Sequence, residues 1–152
     1  FREYINKAPN LHKNIKLVRF VDGDAFEGML ASAIGKSEVG FIPDNIRDAR
    51  RGVGDKKAAA QEFTARAAGV MFEANSFMST SYDIEQNAFI TRDYQLEIYA
   101  DKGANALMTY NHYESEVVLN VGSRLEFMDV EIKKNKAIIK MRAHSMDKKF
   151  TD

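Results

Sequence analysis

The chain has no cysteine, no tryptophan and only two prolines among its 152 residues. Without thiols, disulfide staples, zinc–thiolate centres and cysteine nucleophiles are excluded, and the redox compartment is left open. Charge of one sign is missing too. Lys and Arg number 22 and Asp and Glu number 22, so no global field draws the chain to nucleic acid or to an anionic membrane. No apolar run approaches the ~18 residues that a membrane-spanning helix needs. The three histidines, His12, His112 and His144, are scattered, and no histidine–carboxylate cluster suggests a metal. There is no repeat and no low-complexity tract. What is present, 45% hydrophobic and 29% charged residues, is the composition of an ordinary globule long enough for one sizeable core. The first residue is Phe1 rather than Met. The expectation is one domain over 1–152 within a longer chain, any targeting segment lying outside it.

Hydrophobic spacing predicts the elements. Phe1, Tyr4, Ile5 and Ala8 fit the end of an amphipathic helix that Pro9 stops. Residues 14–21 read as a buried strand with Arg19 in its middle; such an arginine snorkels, pairs or serves a ligand. Asp22-Gly23-Asp24 offers an N-cap for a helix carrying Phe26, Met29, Leu30 and Ile34, which Gly35 ends. Residues 36–54 read as irregular, with Arg47, Arg50 and Arg51 on a solvated face or a partner surface. Gly52-Val53-Gly54 lacks the preceding strand and third glycine of a dinucleotide fingerprint. An alanine-rich helix is expected over 55–72, with Ala60, Phe63, Ala67 and Val70 on one face. Strands follow at 76–82, at Tyr94 to Ala100 by alternation, at Val117 to Leu119, from Leu125 through Ile132, and at 137–143, the last pair joined by a hairpin at 133–136. Residues 83–89 read as a short helix or turn. Helices first and strands later imply an α+β fold with a largely antiparallel or mixed sheet.

The most informative stretch runs from Tyr110 to Phe127. Glu114 and Glu116 stand two apart where a strand begins, so both carboxylates face one way, behind a loop bearing Tyr110 and Tyr113. Two solvated glutamates on an edge strand explain this blandly. A carboxylate pair serving an electron-poor sugar carbon explains it functionally.

Arg19 in the first strand, Ser79-Thr80-Ser81 at a later strand and Glu114-Ser115-Glu116 at a third occur in an order that resembles the arginine/serine-threonine-serine/glutamate class of mono-ADP-ribosyltransferases. The pattern is most similar to the enzymatic components of binary toxins and their insecticidal relatives. Leu17 to Phe20, Phe77 to Ser81, Ala88-Phe89 with Arg92, and Tyr113 to Ser123 carry the likeness, which runs from about Phe1 to Ala143.

The resemblance implies two packed, mostly antiparallel sheets with peripheral helices around a cleft for NAD, used as co-substrate and without a metal. It implies roles as well. Arg19 would bind the NAD phosphates, and Arg92 would add a phosphate contact. Ser79 would hold the catalytic glutamate and the nicotinamide ribose, Thr80 and Ser81 would brace the strand, and Phe89 would pack at the nicotinamide end. Glu116 would stabilise an oxocarbenium-like centre as nicotinamide leaves. Glu114 would orient and help deprotonate the acceptor, and glutamate there goes with arginine acceptors in this family. Tyr110 and Tyr113, which bracket the family's loop aromatic, would meet the target protein, for which actin is one candidate. A monomer is expected, secreted or delivered by a bacterium or phage and acting in a target-cell cytosol. The rival readings are an NAD glycohydrolase with water as acceptor, and a non-catalytic module that binds NAD or a partner.

Overall fold

In the computed structural model, the structure describes residues 11, 14–82, 93–108, 116–133 and 135–145. Eight strands and four helices are found there: β1 (Ile15–Val21), α1 (Gly23–Ile34), α2 (Lys36–Val39), α3 (Ile42–Arg50), α4 (Lys56–Ala67), β2 (Met71–Glu73), β3 (Met78–Ser81), β4 (Tyr94–Ala100), β5 (Ala106–Met108), β6 (Glu116–Leu119), β7 (Arg124–Lys133) and β8 (Lys136–Ala143). The strands hydrogen-bond in the order β2-β7-β8-β4-β1-β3-β6-β5. Every pairing is antiparallel except β4 with β8. The fold is α+β.

β1 is the junction of this sheet. Along one edge it pairs with β4 over its whole length, from Ile15↔Ala100 to Val21↔Tyr94. Along the other it meets β3 through the single pairing Val18↔Ser81. The two sheets expected from the resemblance are therefore a five-strand and a three-strand half joined at one point in a continuous order. Period-two alternation sends Leu17 and Val21 into the core, together with Leu96, Ile98, Ile139 and Met141 from the neighbouring strands. Phe26 and Leu30 of α1, Ile42 and Ile46 of α3 and Phe63 of α4 close over them. Phe63 is the hub, tilted against Phe26 at 6.2 Å and edge-on to Phe127 at 5.7 Å.

α1 begins as its sequence demands. The Asp22 carboxylate accepts from the Ala25 N–H at 2.8 Å, and Gly35, at φ 96°, ends the helix. Three readings need correction. Residues 36–54 are not irregular: Pro43 sits in the first turn of α3, where its missing N–H costs nothing. Arg50 of that helix is buried, at 8% exposure, rather than solvated. The alanine-rich helix stops at Ala67, because Gly69 turns at φ 84° and donates its N–H to Phe127 O at 2.8 Å. The residues beyond, 71–73, form strand β2, with Phe72 opposite Leu125. β4 also departs from simple alternation. Gln95 and Glu97 are buried like their apolar neighbours, and the strand is paired along both edges, with β1 and β8. The expected helix at 1–8 and the helix or turn at 83–89 lie outside the described residues.

Candidate active site

β3 leaves the junction with β1 and pairs with β6 in the register Met78↔Leu119, Ser79↔Val118, Thr80↔Val117, Ser81↔Glu116. Ser79 and Ser81 share one face and Thr80 takes the other. Glu116, opposite Ser81, therefore lies diagonal to Ser79, a spacing that side chains bridge. The Ser79 hydroxyl donates to Glu116 Oε2. Thr80, buried on the opposite face, donates its Oγ1–H to Val117 O at 2.6 Å, which ties β3 to β6 by a side chain as well as by the ladder. Ser81 is buried.

Arg19 reaches the same place from β1. Its Nη1 donates to Ser79 O at 2.8 Å, across 60 residues of sequence. The guanidinium thus holds the backbone of the residue whose hydroxyl holds Glu116. Arg19 also lines an open cleft of about 150 Å³, formed with Val21, Ala25, Met29, Phe72, Ala74, Asn75, Ser76 and Met78. A planar cation at the wall of a partly apolar cleft suits a ligand with phosphate and ring portions.

The far wall is fixed by the turn that follows β6. Ser123 Oγ donates to Asn120 O at 2.6 Å, and Gly122 turns at φ 87°, a conformation that favours glycine. Gly122 N donates to Ala74 O at 2.8 Å, and Ala74 N to Ser123 O at 2.9 Å. The turn after the Glu116 strand is thus clamped to the segment carrying Asn75 and Ser76. No group of three or more potential metal ligands occurs among the described residues.

The structure brings Arg19, Ser79 and Glu116 together. Thr80 lies one residue away, on the other face of β3. Phe89, Arg92, Tyr110, Tyr113 and Glu114 lie outside the described residues. Met29, Asn75 and Ser76 were missed. Met29 sits at helical spacing with core residues; half-buried, it packs against the core and also lines the cleft. For Asn75 and Ser76 the available signal was position: two polar residues directly upstream of Phe77 to Ser81.

Comparison with known proteins gives the chain its family and its fold. The family model for the ADP-ribosyltransferase exoenzyme matches residues 3–148. Among curated protein sequences nothing matches. Among solved structures, the chain is similar to C3stau2 from S. aureus, solved with NAD, at TM-score 0.73 and 19% identity, covering 95% of this chain and 68% of that one. It is similar to Plx2a, an ADP-ribosyltransferase toxin from Paenibacillus larvae, at TM-score 0.65 and 18% identity, with coverages of 95% and 68%. It is also similar to the enzymatic component C2-I of the Clostridium botulinum C2 toxin, at TM-score 0.58 and 16% identity, covering 98% of this chain but 35% of that one. At these identities the likeness establishes the fold.

Proposed function

The chain belongs to the ADP-ribosyltransferase exoenzymes, and from that premise we propose that it cleaves NAD and transfers ADP-ribose to an arginine of a target protein, within a single catalytic domain. The observation that carries this reading is the convergence of three sequence-distant residues: Arg19 on the Ser79 carbonyl and the Ser79 hydroxyl on Glu116. One of the similar folds was solved with NAD, and the cleft beside Arg19 has the mixed polar and apolar lining that a dinucleotide needs.

Arg19 pairs with the pyrophosphate through its planar guanidinium fork, already oriented by Ser79 O. The bond between nicotinamide nitrogen and ribose C1′ breaks, its electron pair leaving with nicotinamide. The cationic C1′ is stabilised by the Glu116 carboxylate, which Ser79 holds in place. A guanidine nitrogen of the acceptor then forms the new bond to C1′ and gives up its proton. An arginine side chain has a pKa above ~12 and needs a carboxylate beside it to become nucleophilic. Glu114, two residues before Glu116, takes that role. Phe89 and Arg92 would complete the nicotinamide and phosphate contacts, and Tyr110 and Tyr113 would meet the target, with actin as one candidate. Relatives carry the word toxin in their descriptions, and an action on proteins of another cell's cytosol fits that class.

A free guanidine acceptor tests the arginine assignment. Agmatine incubated with the protein and NAD should yield ADP-ribosyl-agmatine, and Glu114→Gln should abolish that product while sparing NAD cleavage. Agmatine left unmodified by a protein that modifies other acceptors would overturn the arginine assignment. Release of free ADP-ribose alone, with every acceptor, would make the protein a glycohydrolase.

A further inference from the structure

Arg50 is a buried guanidinium with an unusual set of partners. It lies at 8% exposure at the C-terminal end of α3. Its Nη1 meets Asp93 Oδ2 at 3.2 Å and donates to Asn135 O at 3.1 Å. Its Nε has no hydrogen-bond partner among the described residues. Its carbon Cζ stands 5.5 Å from the centroid of the Tyr94 ring. A buried cation with an orphaned donor costs stability that an apolar side chain of similar volume would not. What the guanidinium adds is position: it ties α3, the start of β4 and the β7–β8 turn to one aromatic ring.

That ring abuts α1. Tyr94 is buried and stacks on Phe26 at 5.7 Å with planes 20° apart. Its edge also presses on Gly23, the first residue of α1, where an added Cβ would lie 3.3 Å from the ring. The same first two turns of α1 carry Ala25 and Met29, which line the cleft with Arg19. We infer that Arg50 and Tyr94 are positioning residues that set the first turn of α1 against Arg19, and so tune the cleft for NAD without touching it. This rests on the NAD reading above. The Ser79–Glu116 pair belongs to β3 and β6, so the relay governs binding rather than the chemical step.

The test measures nicotinamide release and the calorimetric Kd for NAD on the whole chain. Arg50→Met and Tyr94→Leu should raise KM and Kd together, by about three- to tenfold, well inside the ~10²-fold that a 1 Å misplacement can cost. Their kcat should stay within about twofold of wild type, the KM-only pattern of lost uniform binding. Arg50→Lys, which keeps a cation over the ring, should recover part of the loss. Gly23→Ala is the second arm: alanine favours the helix, so a raised KM there cannot come from α1 unfolding. Val130→Ala, a core deletion on β7, should lower Tm and leave KM unchanged. Variants with lowered Tm but wild-type KM and Kd overturn the inference alone. A wild-type protein that neither binds nor cleaves NAD overturns it together with the reading on which it rests.

Discussion

The Ser79 hydroxyl donates to the Glu116 carboxylate across the β3–β6 pair, from a position whose ladder partner is Val118. The diagonal matters, because it lets Ser81, not Ser79, stand directly opposite Glu116 while both serines share its face. Ser79→Ala removes the donor and keeps the strand. NAD cleavage should fall on the order of tenfold to 10²-fold in kcat, as for a group that positions a charge stabiliser. Thermal stability should change by no more than about 1 kcal/mol. Steady-state kinetics beside a melting curve checks both, and unchanged kcat would remove Ser79 from the machinery.

Arg19 does two things at once in this arrangement, and a lysine can do only one. Arg19→Lys keeps the charge but loses the fork that reaches Ser79 O while facing the cleft. NAD affinity should weaken by roughly tenfold, the effect of about 1.4 kcal/mol. Calorimetric titration reads it directly, and an unaltered Kd would show that the cleft beside Arg19 is not the phosphate site.

Tyr99 gives a pH signature separate from the Arg19–Ser79–Glu116 contacts. Its hydroxyl donates to Glu97, and that bond, with burial and the charge of Glu97, pushes its pKa up to about 12 from 10.0. The folded state therefore holds this proton more tightly than the unfolded chain. The contribution is fully present below pH 10 and is lost as pH rises from about 10 to about 12. Denaturant midpoints for wild type should fall across that window more steeply than those of Tyr99→Phe. Parallel curves for the two proteins would refute the pairing.

Phe63 is the packing hub between α1, α4 and β7, fully buried between Phe26 and Phe127. Phe63→Ala should cost about 3–5 kcal/mol by cavity formation, read as a lowered denaturation midpoint. A loss below 1 kcal/mol would mean that the aromatic trio does not carry the core.

Much of this was legible in the residues themselves. β1, β4 and β8 announce themselves by alternation or by apolar runs, and α1 by Asp22 before it and Gly35 after it. The triad was legible as three motifs, but not its geometry: nothing local says that Arg19 will donate to a carbonyl 60 residues away. Long-range register decides that, through Val18↔Ser81. Where the reading failed, tertiary structure overrode local pattern. Phe72 looked helical because alanine-rich spacing runs into it, yet Gly69 and pairing with β7 make it a strand. Arg50 looked solvated because charge usually is, yet Asp93, Asn135 and the Tyr94 ring enclose it.

The account turns on ADP-ribose leaving NAD for a protein under the control of Glu116. The most direct measurement incubates NAD labelled in its adenylate half with a cell lysate and the purified chain, beside Glu116→Gln. The account predicts a discrete labelled protein band with wild type and a rate lower on the order of 10²–10³-fold with the variant, the cost of removing one charge-stabilising group. NAD left intact by the wild type, or equal labelling by both proteins, would contradict it.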